Sequence, residues 1–261
     1  MHLGVSWLIN RFASMTCMGC IIKSMNKSMT IVRQEVCRLL GGDTSGHSDE
    51  HVERVARLAE RFANEYKEAA SMDEVLLTAW LHDVDDYKLV GKKQADELNN
   101  ATSIMVKAGV AADLQDAVCH NIARIGYSRY LHGVRPERLA GRIVSDADMC
   151  DAIGACGIER ALIYAVNHGS CRIFDPTVWP DVNIDAHRYN ANGGTHDGDS
   201  FINYFFEKLL KLPKIMMTDP GRDEALIRQQ IMVTFLRAYF REKNVPEWSN
   251  FLEEYLISLD E

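Results

Sequence analysis

Val75-Leu76-Leu77-Thr78-Ala79-Trp80-Leu81-His82-Asp83 is an apolar run that closes on an adjacent histidine and aspartate. Asp73 stands in front of it as a helix N-cap, and an acidic, polar segment follows it: Asp85, Asp86, Tyr87, Lys88. A buried His-Asp pair is costly as mere packing, because both side chains need polar partners once taken out of water. The pair makes sense as metal ligands, an imidazole nitrogen and a carboxylate oxygen meeting one divalent cation.

Upstream, the turn cluster Asp43-Thr44-Ser45-Gly46 leads to Ser48, an N-cap. The helix it opens carries His51, Val55, Leu58 and Phe62 at i, i+4, i+7 and i+11. His51 therefore faces the way the core residues face. Downstream, Asp146-Ala147-Asp148 lies in a helical pattern spanning residues 137–164, with a bend expected near the aspartates. Other periodic segments also read as helices: 31–40 ending at Gly41-Gly42, 92–108, 111–125, 200–212 stopping at Pro213, a run to Glu242 opened by Asp219-Pro220, and a last helix after Pro246. No segment alternates with period two for long enough to be a strand. The expected fold is all-α, one compact multi-helix domain over residues 29–261 with one long irregular loop, Asp175 to Asp199. That loop holds His187, Arg188 and His196 and reads equally as a substrate-binding arm or a solvated excursion.

With 47% hydrophobic and 25% charged residues over 261 positions, the composition is that of an ordinary globular protein with room for one sizeable core. The net charge of −8 argues against a broad nucleic-acid-binding surface. It leaves phosphate substrates open where a metal supplies local positive charge. Seven cysteines without a regular framework point to free thiols in a reducing compartment. Cys17-Met18-Gly19-Cys20 has zinc-ribbon spacing, yet no second such pair follows. Residues 1–28 read as an extension: a cationic targeting peptide, or a start assigned too early, with Met15, Met18, Met25 and Met29 as later starts. The second reading is preferred, and a cytoplasmic location is expected.

Four metal ligands are nominated: His51, His82, Asp83 and Asp146. Two imidazoles and two carboxylates suit one divalent ion among Mn, Mg, Fe, Co and Zn. Asp148 and Asp151 are assigned to orienting ligands or capping helix ends. Asp86 is nominated as general base and Lys88 as a phosphate contact, with Lys208 and Arg160 as weaker phosphate candidates.

The ordered set His51…His82-Asp83…Asp146 resembles the signature of the HD-domain metal-dependent phosphohydrolases. The resemblance extends to His51-Val52-Glu53-Arg54-Val55-Ala56-Arg57-Leu58-Ala59, to Ala79-Trp80-Leu81-His82-Asp83, and to Ser145-Asp146-Ala147-Asp148-Met149-Cys150-Asp151-Ala152-Ile153-Gly154, the last similar to the small stand-alone bacterial branch. Phe206 to Leu210, Thr218 and Arg228 also resemble that branch, so the match runs from about Gly46 to Glu242. His47, one turn before His51, is the alternative first ligand. The resemblance implies hydrolysis of a small phosphate ester or anhydride, a nucleotide first, with nucleoside triphosphate pyrophosphohydrolysis as the specific expectation and nucleotidase, cyclic-nucleotide phosphodiesterase and alarmone hydrolase activities left open. A non-catalytic, metal-stabilised helical binding protein is the alternative. A two-iron oxygenase would need additional paired histidines, which His120 and His132 do not form. No nucleic-acid polymer or membrane is expected as a partner, and a homodimer is left open.

Overall fold

The computed structural model describes residues 27–41, 49–167, 172–183 and 200–260. The Cys17/Cys20 pair, His47, Ser48, His187, Arg188 and His196 lie outside the described residues, as do the side chains of Tyr87 and Lys88. Among the described residues the architecture is helical, with a lone bridge between Arg172 and Ser200 in place of any strand. No helix among them is long and apolar enough to cross a membrane.

Residues 27–40 form α1, which buries Met29, Val32, Val36 and Leu40 along one face. The Ser28 hydroxyl ties its start to the chain by donating to the Ala108 carbonyl at 2.7 Å. Next comes α2 (Asp49–Glu65), with Val52, Val55, Ala56, Leu58, Ala59, Phe62 and Ala63 buried on the stripe that also carries His51. The following helix, α3 (Met72–Leu81), is capped by Ser71, whose side chain accepts from the Glu74 N–H. Asp73 lies in its first turn instead of at the cap. Helix α3 ends at His82, and short helices α4 (Tyr87–Val90), α5 (Lys92–Glu97) and α6 (Asn99–Lys107) follow. The expected single helix over 92–108 is thus split at Leu98, which adopts φ 50°. The Asp85 carboxylate takes the N–H groups of Asn100 and Ala101, satisfying donors that the start of α6 would otherwise leave open.

After α7 (Ala112–Ile122) and α8 (Tyr127–Leu131) comes α9 (Leu139–Asp151), the axis of the fold. It is buried on nearly every side, Ala140, Gly141, Ile143, Val144, Ala147, Met149 and Cys150 included. The expected bend near the aspartates is a clean break: α9 ends at Asp151, and α10 (Gly154–Asn167) starts at Gly154, which has φ +79°. The described part of the long loop is held down. Trp179 stacks on Trp248 with ring centroids 4.5 Å apart, and Asn203 donates to the Val178 carbonyl. Beyond Ser200, which caps α11 (Phe201–Glu207), the chain does not continue as one helix to Pro213. It changes at Lys208 to a 3-10 turn over Leu209–Ile215 that contains the proline. Thr218 then caps the long α12 (Asp219–Lys243), with Pro220 in its first turn, and α13 (Pro246–Asp260) packs back on it. Helices α2, α3 and α9 pack on one another, while α12 lies along α9 and α10.

Candidate metal centre

Where α2, α3 and α9 meet, two imidazoles face each other with ring centroids 5.4 Å apart. His51 stands in the first turn of α2 and His82 closes α3, both side chains only 2% exposed. The His82 Nδ1 lies 2.8 Å from the Ala79 carbonyl. A carbonyl only accepts, so the ring proton sits on Nδ1 and Nε2 carries the lone pair. That Nε2 is buried with no hydrogen-bond partner. The His51 Nδ1 lies 2.7 Å from Asp151 Oδ2, so its proton is fixed in the same way. Both Nε2 atoms therefore present lone pairs to one spot.

Two carboxylates share that spot. The His51 Nε2 is 3.4 Å from Asp83 Oδ2 and 3.4 Å from Asp148 Oδ1. The His82 Nε2 is 3.5 Å from Asp83 Oδ1 and 3.8 Å from Asp148 Oδ1. These spacings are too long for good hydrogen bonds. The two spacings at His51 suit donor atoms sharing an ion, since bonds of about 2.1 Å at tetrahedral or octahedral angles separate neighbouring donors by about 3.0–3.4 Å, and the two at His82 are slightly longer. One ligand atom each from His51, His82 and Asp83 lies within 4.8 Å of the others, a cluster able to hold a divalent ion. The exposure is on the acidic side, 13% for Asp83 and 24% for Asp148, so the cluster opens to solvent over the carboxylates.

No protein-family model matches the chain. Among known proteins it is 32% identical to YpgQ of Bacillus subtilis over 216 residues, 82% of this chain and 92% of that protein. The chain belongs to the HD-domain superfamily of metal-dependent phosphohydrolases. A crystal structure of YpgQ in complex with ADP superposes with a TM-score of 0.63, at 26% identity over 84% of this chain and 96% of that one. A Lactobacillus plantarum structure gives a TM-score of 0.69 at 34% identity, covering 83% and 97%. An HD-superfamily hydrolase from Bacillus thuringiensis gives 0.64 at 25% identity, covering 85% and 99%. HD-superfamily proteins bind a divalent metal, and the buried donors of this one fit such an ion.

The fold of this HD protein brings His51, His82 and Asp83 together, but it does not bring Asp146 to them. Asp146 is fully buried elsewhere, on the α12 side of α9. Its carboxylate accepts from the Met217 N–H at 3.0 and 2.9 Å, the Thr218 N–H at 2.7 Å and the Thr218 hydroxyl at 2.6 Å. Burial pushes this carboxyl up to about 6, against the pull of those donors. The physical reason is helical geometry: residues 146 and 148 differ by about 200° around the axis, so only one can face the histidines. The one that does is Asp148. A sequence signal for it existed, because Asp148 and Asp151 stand three apart and share a face.

Asp151 is the hub behind His51. Besides the imidazole it accepts from Arg54 Nε at 2.7 Å and from Arg160 Nη1 at 2.8 Å. Burial works to raise its carboxyl, yet hydrogen bonds from His51 and Arg54 and the charges of His51 and Arg160 hold it well below the usual range. Burial and Arg160 pull the His51 imidazole down, but the facing carboxylates of Asp148, Asp151 and Asp83 outweigh them and lift it to about 10, so a proton and a metal cation compete for its Nε2. The same negative field favours a cation beside it. Of the phosphate candidates, Arg160 is thus engaged with Asp151, and the Lys208 ammonium lies 2.9 Å from the Tyr204 hydroxyl and over the Tyr127 ring. Asp86 is partly buried in the turn after Asp83, its N–H donating to the Asp83 carbonyl at 3.1 Å. Arg228 and Gly154 meet behind the site: the guanidinium donates to the Cys150 carbonyl at 2.8 Å, capping the end of α9.

Proposed function

We propose that this protein hydrolyses a phosphoanhydride of a small molecule, a nucleotide foremost, using one divalent ion held by His51, His82, Asp83 and Asp148. The carrying observation is the convergence of two buried Nε2 lone pairs, each fixed by an acceptor on its Nδ1, beside two partly exposed carboxylates. When bound, the ion supplies charge neutralisation for a phosphoryl group and acidifies water. Around the cluster, Asp83, Asp148 and Asp151 carry three negative charges and Arg54 and Arg160 two positive ones. A divalent ion makes that local sum positive, which suits an anionic substrate. A nucleotide is favoured because the Bacillus subtilis relative was crystallised with ADP. Cleavage between the α and β phosphates, releasing pyrophosphate, is the specific reaction proposed.

The chain's own groups do the rest. His51 and His82 hold their lone pairs on the cluster, and Asp83 and Asp148 flank its open side. Asp86, adjacent in the turn, is the proposed proton acceptor for the attacking water, and Lys88 on α4 the proposed phosphate contact. The test is a nucleotide panel with manganese and identification of the products. Pyrophosphate release that disappears in Asp83→Ala, and falls about 100-fold or more in kcat for Asp86→Asn, is expected. Release of phosphate only refutes the pyrophosphohydrolase assignment. Inertness toward every nucleotide, with metal bound, makes the protein a metal-stabilised binding module instead.

A further inference from the structure

Resting on that metal-centre reading, we infer that Asp151, braced by Arg54, sets how strongly His51 grips the cation, while Arg160 opposes it, so the two histidine arms are unequal. The two imidazoles are backed differently. The proton on His82 Nδ1 meets a neutral backbone carbonyl, that of Ala79. The proton on His51 Nδ1 meets a full carboxylate at 2.7 Å, itself only 1% exposed. A carboxylate acceptor draws the ring proton more strongly and leaves the opposite nitrogen the better donor.

The brace has a division of labour. Arg54 lies one turn beyond His51 on α2 and grips both oxygens of Asp151, Nε to Oδ1 at 2.7 Å and Nη2 to Oδ2 at 3.1 Å. That fork alone fixes the carboxylate plane. Arg160 reaches across from α10 to the same Oδ2 at 2.8 Å, and its Nη1 also lies 3.1 Å from His51 Nδ1. Since that nitrogen already carries a proton directed at Asp151, the second contact is a cation against an N–H and not a hydrogen bond. Arg160 therefore subtracts from the negative field that draws a metal to His51, although it contacts the same carboxylate as Arg54. Asp151 and Arg160 are positioning residues whose removal should move metal affinity in opposite directions.

The test is equilibrium titration of the metal-stripped full chain with Mn2+, read by the electron paramagnetic resonance signal of the free ion. Thermal melts in EDTA confirm that each variant is folded. Asp151→Asn is expected to loosen Mn2+ about 10- to 100-fold. Arg160→Gln is expected to tighten it about threefold or more, since a positive charge has left the vicinity of the site. Unchanged or tighter binding in Asp151→Asn overturns the inference. So does unchanged or looser binding in Arg160→Gln, because a purely structural brace loosens the site whichever partner is lost. Should Asp151→Asn not fold, Arg160→Gln decides alone by the same criterion. A wild-type chain that takes up no Mn2+ refutes the metal-centre reading itself, an outcome separate from either variant result.

Discussion

Replacing Asp146 and Asp148 one at a time by alanine separates the residue that holds the fold from the one that meets the histidines. Asp146→Ala strips the acceptor from two backbone N–H groups and a hydroxyl, those of Met217 and Thr218, in a fully buried place. Each buried donor left open costs about 1–3 kcal/mol. The hydroxyl can rotate away and the Met217 N–H is only part-buried, so the loss should total about 2–4 kcal/mol. At about 2–4 °C per kcal/mol for a chain of this size, the melting temperature in EDTA should drop by about 5–15 °C. Saturating Mn2+ at about 100 times its Kd adds about 2.7 kcal/mol to a competent site, a further rise of about 5–10 °C. Asp146→Ala should melt early yet keep that rise. Asp148→Ala should show the reverse: an EDTA melt near wild type, since losing its attraction to His51 is offset by relief of its repulsion from Asp83, and little or no rise with Mn2+. Differential scanning calorimetry with and without metal reads both. Loss of the metal-dependent rise in Asp146→Ala, with its retention in Asp148→Ala, refutes the placement argued above.

Gly221→Ala should destabilise by about 2–4 kcal/mol in urea titrations, although alanine favours a helix by about 1 kcal/mol. Its Cβ would stand 2.6 Å from Asp146 Oδ2 and 2.7 Å from Thr218 Oγ1, wedging apart the bond between them; a more stable variant would show that the close approach is not real. Gly154→Ala should cost about 1–2 kcal/mol, because a side chain at φ +79° is strained and would press on Arg228 at 3.0 Å. Equal urea midpoints for variant and wild type would contradict this. Glu74 is held below its ordinary value of 4.5, first by the hydrogen bond from Arg138, against its burial and with help from Asn121. A depressed acid contributes stability that is present above its unfolded value and lost as pH falls through the folded one. The stability gap between wild type and Glu74→Gln should accordingly be full at pH 7 and shrink below about pH 4.5. A gap that does not change with pH rules out the ionised pair as its source.

Much of the fold was legible because its signals are local. His51, Val55, Leu58 and Phe62 share a stripe whatever else the chain does, and Ser200 and the Asp219-Pro220 start are readable as helix openings from a few residues. The boundaries that slipped depend on distant contacts. The 92–108 segment divides at Leu98 after Asp85 has taken the N–H groups of Asn100 and Ala101, and the 200–212 segment leaves the α-helix at Lys208, before the proline that was expected to stop it. The bend after the aspartates was foreseen in kind, while its place at Gly154 is set against Arg228 of α12.

The site divides along the same line. The sequence by itself determined an all-helical chain, the placing of His51 on a buried stripe, and the His82-Asp83 pair, because residue type and helical period fix which side chains turn inward. It did not choose between Asp146 and Asp148. Both lie on α9 in a helix buried almost all round; the spacing puts Asp148 on one face with Asp151, but it does not say which face meets α2 and α3 and which meets α12. Only the packing of three further helices answered that. It turned Asp148 to the histidines and gave Asp146 to the start of α12, because positions two apart on a helix point about 200° from each other and cannot serve the same ion.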